Sequence, residues 1–99
     1  MSMDRIIREE ARLIILKALA AEVNNRLNSE LVRLSLESFG ISRTRDWVHA
    51  ELGFLSDIGA LTVSDIGTVK IAALTQRGLD HVMRLTVLDG VKRPSIVGV

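Results

Sequence analysis

Cysteine is absent from the 99 residues, which removes disulfides and thiolate metal sites and fits a reducing compartment. Aromatic side chains are almost absent: one Trp, two Phe and no Tyr make up 3% of the chain, so a core has to be built from Leu, Ile, Val and Ala. A charge excess is missing too. Thirteen basic residues against twelve acidic ones leave +1, far from the marked basic surplus of a non-specific polyanion binder. A nucleic-acid role must therefore rest on local placement of Arg and Lys, or on a dimer that doubles the footprint. Long apolar runs are lacking as well. The greasiest stretch, Ala11 to Ala21, is interrupted by Arg12 and Lys17 and is far short of a membrane span. The opening Met1-Ser-Met-Asp-Arg has no basic region followed by an apolar one, so no secretory signal is expected and a cytoplasmic protein is the default reading.

What is present is a hydrophobic content of 47%, ample for one folded domain and contrary to disorder. Asp4 to about Glu22 is expected to form a first helix, acidic near its start and apolar at Ile7, Ala11, Ile14, Ala18 and Ala21. A second apolar set, Ile6, Leu13, Leu16 and Leu19, widens that stripe. Either the rest of the domain wraps this helix, or its spare face makes a homodimer contact. Asn24 to Asn28 is a polar connector, and Asn28 or Ser29 caps a second helix to about Ser38 with Leu31, Leu34 and Leu36 apolar.

The organising stretch runs from Ile41 to Gly59. Gly40 suits a turn, Ser42 is placed to cap a helix over 42–57, and Gly59 stands where a helix stop belongs. Val48, Leu52 and Leu55 form its inner face, with Arg43, Asp46, Ala50 and Gly53 outside, flanked by Arg45 and His49. Two helices joined by three or four residues containing Gly match the helix-turn-helix spacing, a pattern shared by many helical hairpins. Residues 60–64 and 68–74 are β-rich and bracket a turn at 65–68. In that hairpin Leu61 and Val63 share one side of their strand, as do Val69, Ile71 and Ala73 on the partner, with Lys70 on the other side. Thr75 caps a final helix to about Leu85 with Leu79, Val82 and Met83 inward, and Gly78 in its first turn implies close packing. Residues 86–99, broken by Pro94, have no clear period and are expected to be a mobile or partner-docked tail after a domain of residues 1–85.

The order helix, helix, turn, helix, hairpin, helix is that of a winged helix-turn-helix domain, an α+β fold that is mostly α. Val48-His-Ala-Glu-Leu-Gly-Phe-Leu-Ser-Asp-Ile-Gly-Ala-Leu61 resembles the passage from recognition helix to wing in that superfamily. Leu74-Thr-Gln-Arg-Gly78 resembles the L-T-x-x-G that follows the wing in MarR-, PadR- and ArsR-like regulators. More narrowly, Ser42 to Gly59, Leu74 to Asp80 and Gly90-Val-Lys-Arg-Pro94 are similar to small ArsR-like winged-helix proteins of Mu-like phages and prophages. The resemblance implies a transcriptional regulator that binds double-stranded DNA, with the 42–57 helix in the major groove.

On that reading Arg43 and Arg45 contact phosphates or a guanine edge, and His49 reaches a base or phosphate. Ser42 and Thr44 are candidate phosphate donors, Lys70 on the wing and Arg33 on the second helix touch the flanking backbone, and Lys92 and Arg93 extend the footprint. Each has an ordinary alternative as solvated charge or, for Ser42, as a helix cap. Trp47 and Phe54, seven apart, form a second stripe that either packs beneath the wing or first helix or joins Ile6, Leu13 and Leu16 in a dimer or partner interface. The rival function is a winged helix that holds a protein partner and binds no DNA. No H-E-x-x-H, G-x-S-x-G or phosphate-cradling Gly-rich loop is present, and His49 and His81 are isolated, so neither an enzyme, a cofactor nor a metal centre is expected.

Overall fold

Each helix opens on a capping side chain. In the computed structural model, which describes residues 2–96, Ser2 accepts the Arg5 amide to start α1 (Met3–Ala20). Asn28 accepts the Leu31 amide at 2.8 Å to start α2 (Ser29–Ser38). Thr44 accepts the Trp47 amide at 3.2 Å to start α3 (Arg45–Asp57), and Thr75 accepts the Gly78 amide to start α4 (Gln76–Val82). The cap of α3 is thus Thr44 rather than Ser42, and the helix begins three residues later than its expected start at 42. The connector from α2 to α3 is correspondingly longer than the three or four residues the spacing implied. Thr44 wins because its extended backbone aims Oγ1 at the amide three residues on.

The ends of α2 and α3 share one geometry. Gly40 and Gly59 take φ of +85° and +80°, and the next residue's amide reaches back to the helix: Ile41 to Leu36 O at 3.0 Å, Ala60 to Leu55 O at 2.9 Å. Only a residue without Cβ takes this conformation cheaply, so glycine stops both helices.

A three-stranded antiparallel sheet, in the order β1-β3-β2, completes the fold: β1 (Arg26–Asn28), β2 (Leu61–Ile66) and β3 (Val69–Leu74). The expected polar connector at 24–28 therefore contains a strand, entered through Asn25 at φ +57°. A two-residue loop, Gly67-Thr68, joins β2 to β3 and pairs Ile66 with Val69. That register puts Leu61, Val63 and Asp65 opposite Leu74, Ala72 and Lys70 on one face. The inner residue of β3 is Ala72, fully buried, and not Val69, Ile71 or Ala73, which lie on the other face. The hairpin fixes the register, and a shift of one residue exchanges the faces.

Helix α1 is the central rod, in contact with α2, α3, α4, β1 and β3. Ala11, Leu13, Ile14, Ile15, Leu16 and Leu19 are all buried, so Leu13 and Leu16 belong to the core and not to a spare outer face. On α2 the inward residues are Val32 and Leu36, whereas the apolar Leu31 and Leu34 are 46% and 44% exposed. Helix α4 stops at Val82, with Met83 58% exposed, and Arg84 turns the chain at φ +65°. Residues 86–92 are no loose tail. Leu88 and Val91 are buried in the core, and the Lys92 amide donates to Glu9 O at 3.1 Å. Residues 97–99 of the expected tail lie outside the described residues. No helix among the described residues is long and apolar enough to cross a membrane.

Candidate nucleic-acid interface

The outer side of α3 is open. Arg45, Asp46, Ala50 and Gly53 are exposed, and a Cβ added at Gly53 would meet no atom within 4 Å. The opposite side, Val48, Leu52 and Leu55, is sealed in the core. At the N-terminal end stand Ser42, Arg43, Thr44 and Arg45. Thr44 Oγ1 is engaged as the cap, and Ser42 Oγ lies 3.5 Å from Glu37. Arg43 donates to Ser42 O at 3.0 Å, and its guanidinium lies 5.5 Å from the centre of the Trp47 ring. The exposed Arg45 is not held in a salt bridge among the described residues, which leaves its guanidinium free to turn outward.

The other expected contacts are more committed. Arg33 pairs with both Glu30 and Glu37 along α2, and Glu30 holds its guanidinium above the ordinary arginine pKa. Lys70 bonds Asp65 across the wing at 2.7 Å, which in turn keeps the Asp65 carboxyl below its usual range. Both cations can face phosphate only by sharing or leaving these partners. The structure brings Arg45, His49 and Lys70 to one side, where α3 meets the wing. Arg33 shares that surface with its acidic partners, whereas Lys92 and Arg93 lie along α1, near Glu10 and Lys17.

Side chains to which the sequence analysis gave no place at this site set its geometry. Ser29, the first residue of α2 and only 2% exposed, accepts the Lys70 amide at 3.0 Å and lies 3.2 Å from His49 Nε2. One hydroxyl thus joins α2, α3 and β3. Glu51, 2% exposed on α3, takes hydrogen bonds from Arg8 and, at 2.6 Å, from Arg12, both on α1. Arg12 also donates to Gly90 O at 2.8 Å and stacks on Phe54 at 3.6 Å. The spacing of Arg8 and Arg12, one turn apart on α1, was the available signal for the Glu51 pair; nothing local marks Ser29.

Trp47 and Phe54, expected beneath the wing or first helix or else in an interface, are half-buried under arginines. Arg8 lies 5.1 Å from the Trp47 ring centre, and Phe54 is capped by Arg12 and by the backbone at Gly90. Ile6 is 44% exposed. His49 is held below the ordinary histidine pKa, chiefly by burial and then by the nearby Lys70 and Arg45 charges. Among the described residues no three His, Cys, Asp or Glu side chains cluster as a metal site would need. A groove of about 480 Å³ runs along α1, lined by Leu13, Ile14, Ala18, Ala21 and Phe39, with Lys17 and Arg93 at its rim.

Comparison with solved structures gives the fold. RosR of H. salinarum superposes with a TM-score of 0.64 at 21% identity, over 75% of this chain and 66% of its own. F93 from STIV, described as a winged-helix DNA-binding protein, superposes with a TM-score of 0.59 at 26% identity, over 74% of this chain and 79% of its own. The chain is a winged helix in which α2 and α3 form the helix-turn-helix and β2–β3 the wing. No family model matches the sequence. An uncharacterized protein of Haemophilus influenzae is 30% identical over 80 residues, 80% of this chain and 78% of that protein. The uncharacterized protein gp26 of Escherichia phage Mu is 32% identical over 89 residues, which span 90% of this chain and 92% of gp26. On that coverage, this chain belongs to the family of phage Mu gp26.

Proposed function

We propose that the protein binds double-stranded DNA as a homodimeric transcriptional regulator of a prophage or its bacterial host, acting in the cytoplasm. The observation that carries this is the open face of α3, bare of bulk at Ala50 and Gly53 and tipped by Arg45, beside a short wing. A helix with small side chains on its outer side can approach the floor of the major groove closely, and arginine is the commonest reader of guanine there. The DNA-binding description of F93 supports the same reading. Arg43, Arg45 and His49 read or position, while Ser42, Lys70 and Arg33 touch the flanking backbone. The narrower likeness to ArsR-, MarR- or PadR-like regulators belongs to this proposal too.

The near-neutral charge makes the second copy necessary to the proposal, because one protomer offers few uncommitted cations. The groove along α1 is the natural place for it. Phe39, 67% exposed, stands on one wall, so each protomer presents both a knob and a hole, as a two-fold interface requires. Ile6 lies at the continuation of this groove toward Ile41, whereas Trp47 and Phe54 are already covered by Arg8, Arg12 and Arg43.

Titrating salt against duplex affinity tests the DNA reading. Affinity should fall steeply as counterions released by each phosphate contact become costlier to displace. Arg45→Ala should cost about 1–3 kcal/mol of specific binding if Arg45 reads a base. Flat salt dependence would favour the rival, a winged helix whose apolar α1 groove holds another protein.

A further inference from the structure

Ser29 Oγ on α2 stands where α3 and the wing meet. It accepts the Lys70 amide at 3.0 Å, so its own proton points to the remaining neighbour, His49 Nε2 at 3.2 Å. That arrangement suits a neutral imidazole with its proton on Nδ1. If the ring is protonated, Nε2 becomes a donor. Ser29 must then accept two N–H groups and turn its hydroxyl proton elsewhere, so the charge state of His49 is coupled to the joint between α3 and β3.

The charges around the ring come from every element packed on it. Arg45 and Asp46 face it from α3, and Lys70 and Asp65 face it from the wing. From α2 it meets the uncharged Ser29, whose neighbour Glu30 acts on Arg45. The free protein disfavours a third positive charge between Lys70 and Arg45. A phosphodiester laid across the junction of α3 and wing reverses that balance, because a close anion favours the charged ring.

We propose that the Ser29–His49–Lys70 joint makes DNA binding proton-linked: duplex binding draws one proton onto His49, with Ser29 as the positioning residue that seats the ring against the wing. This rests on the DNA-binding reading above. Linkage then requires affinity to rise as the pH is lowered. One proton sets a ceiling of about tenfold per pH unit.

The test measures duplex affinity at fixed ionic strength between about pH 7.5 and about pH 5.5 for the wild type, His49→Gln and Ser29→Ala. The wild type should tighten several-fold across this range, and His49→Gln should lose that gradient beyond whatever the carboxylates contribute. Ser29→Ala should bind more weakly and with a displaced gradient, which a purely structural role would not produce. A histidine NMR titration of the wild type needs no variant: the His49 midpoint should move upward on adding duplex. Equal gradients in wild type and His49→Gln, or an unmoved midpoint in a complex that forms, would overturn the proton linkage while leaving DNA binding intact. Failure to bind any duplex at low salt would overturn the DNA reading, and this inference with it.

Discussion

Gly78 is the residue whose smallness the fold uses most directly. A Cβ there would lie 2.1 Å from Ala60 O and 2.8 Å from a methyl of Leu74. Thr75 explains the closeness: its amide donates to Ala60 O, and its hydroxyl donates to Gly59 O at 2.6 Å. The L-T-x-x-G signature is thus a clamp that pins the start of α4 to the end of α3, the same point at which the chain enters the wing. Gly78→Ala should destabilise the domain by about 3 kcal/mol or more, since the obstructing atom is backbone and cannot swing aside. Chemical denaturation reads this directly, and a loss below about 0.5 kcal/mol would remove the clamp from the argument. The need for close packing at Gly78 was legible in the sequence, because a glycine inside a helix costs stability unless something lies against it. The cap of α3 was not. Ser42 and Thr44 are both competent cappers, and only the path of the chain out of Gly40 decides between them.

At the level of elements, boundaries written in local chemistry were readable and those written in distant partners were not. Asn28, Thr75, Gly40 and Gly59 mark helix ends by their own side chains or their lack of one. Strand β1 has only three residues, and its pairing partner lies more than forty positions away, so no local periodicity announces it. Val69, Ile71 and Ala73 do share one side of β3, opposite Lys70, but which side faces in was not legible. Val69 and Ile71 look like core residues, but the hairpin register gives the inner position to Ala72, which is fully buried. Helix α3 owes its seat to the Glu51 cluster, which sequence reading also missed. Glu51→Gln leaves Arg8 and Arg12 sharing one neutral acceptor. The expected loss is about 2–4 kcal/mol, below the range for a fully buried pair because Arg8 is a third exposed to water. Double-mutant cycles with Arg12 would measure it, and additive single losses would show that the two groups do not act together.

For the whole molecule, the fold class was plain from element order, while the surface was not. Among the described residues, eleven large apolar side chains are more than two-fifths exposed, including Ile6 on α1, Leu31 and Leu34 on α2, and Phe39 just after it. The apolar periodicity of those helices is compatible with burial, and only the arrangement of neighbours reveals that nothing covers them within one chain. The reverse holds for residues 86–92. With no clear period they read as a tail, yet Leu88 and Val91 are core, and His81 is fully buried to serve them: its Nδ1 accepts the Leu88 amide and its Nε2 donates to Lys92 O at 2.9 Å. Ending the chain at Val87 should therefore remove roughly 3–6 kcal/mol of apolar burial from these two side chains. That is a large share of what a domain of this size possesses. An unchanged melting transition in the shortened protein would contradict it.

That strap also serves as the closing piece of the fold. Leu88 and Val91 complete the core, the Lys92 amide closes on α1, and Gly90 supplies the carbonyl that steadies Arg12 beneath α3. Without residues 88–92 the helices and wing are all present, but a seam along α1 stays open. Until the strap closes, that seam offers proteases and chaperones a way in.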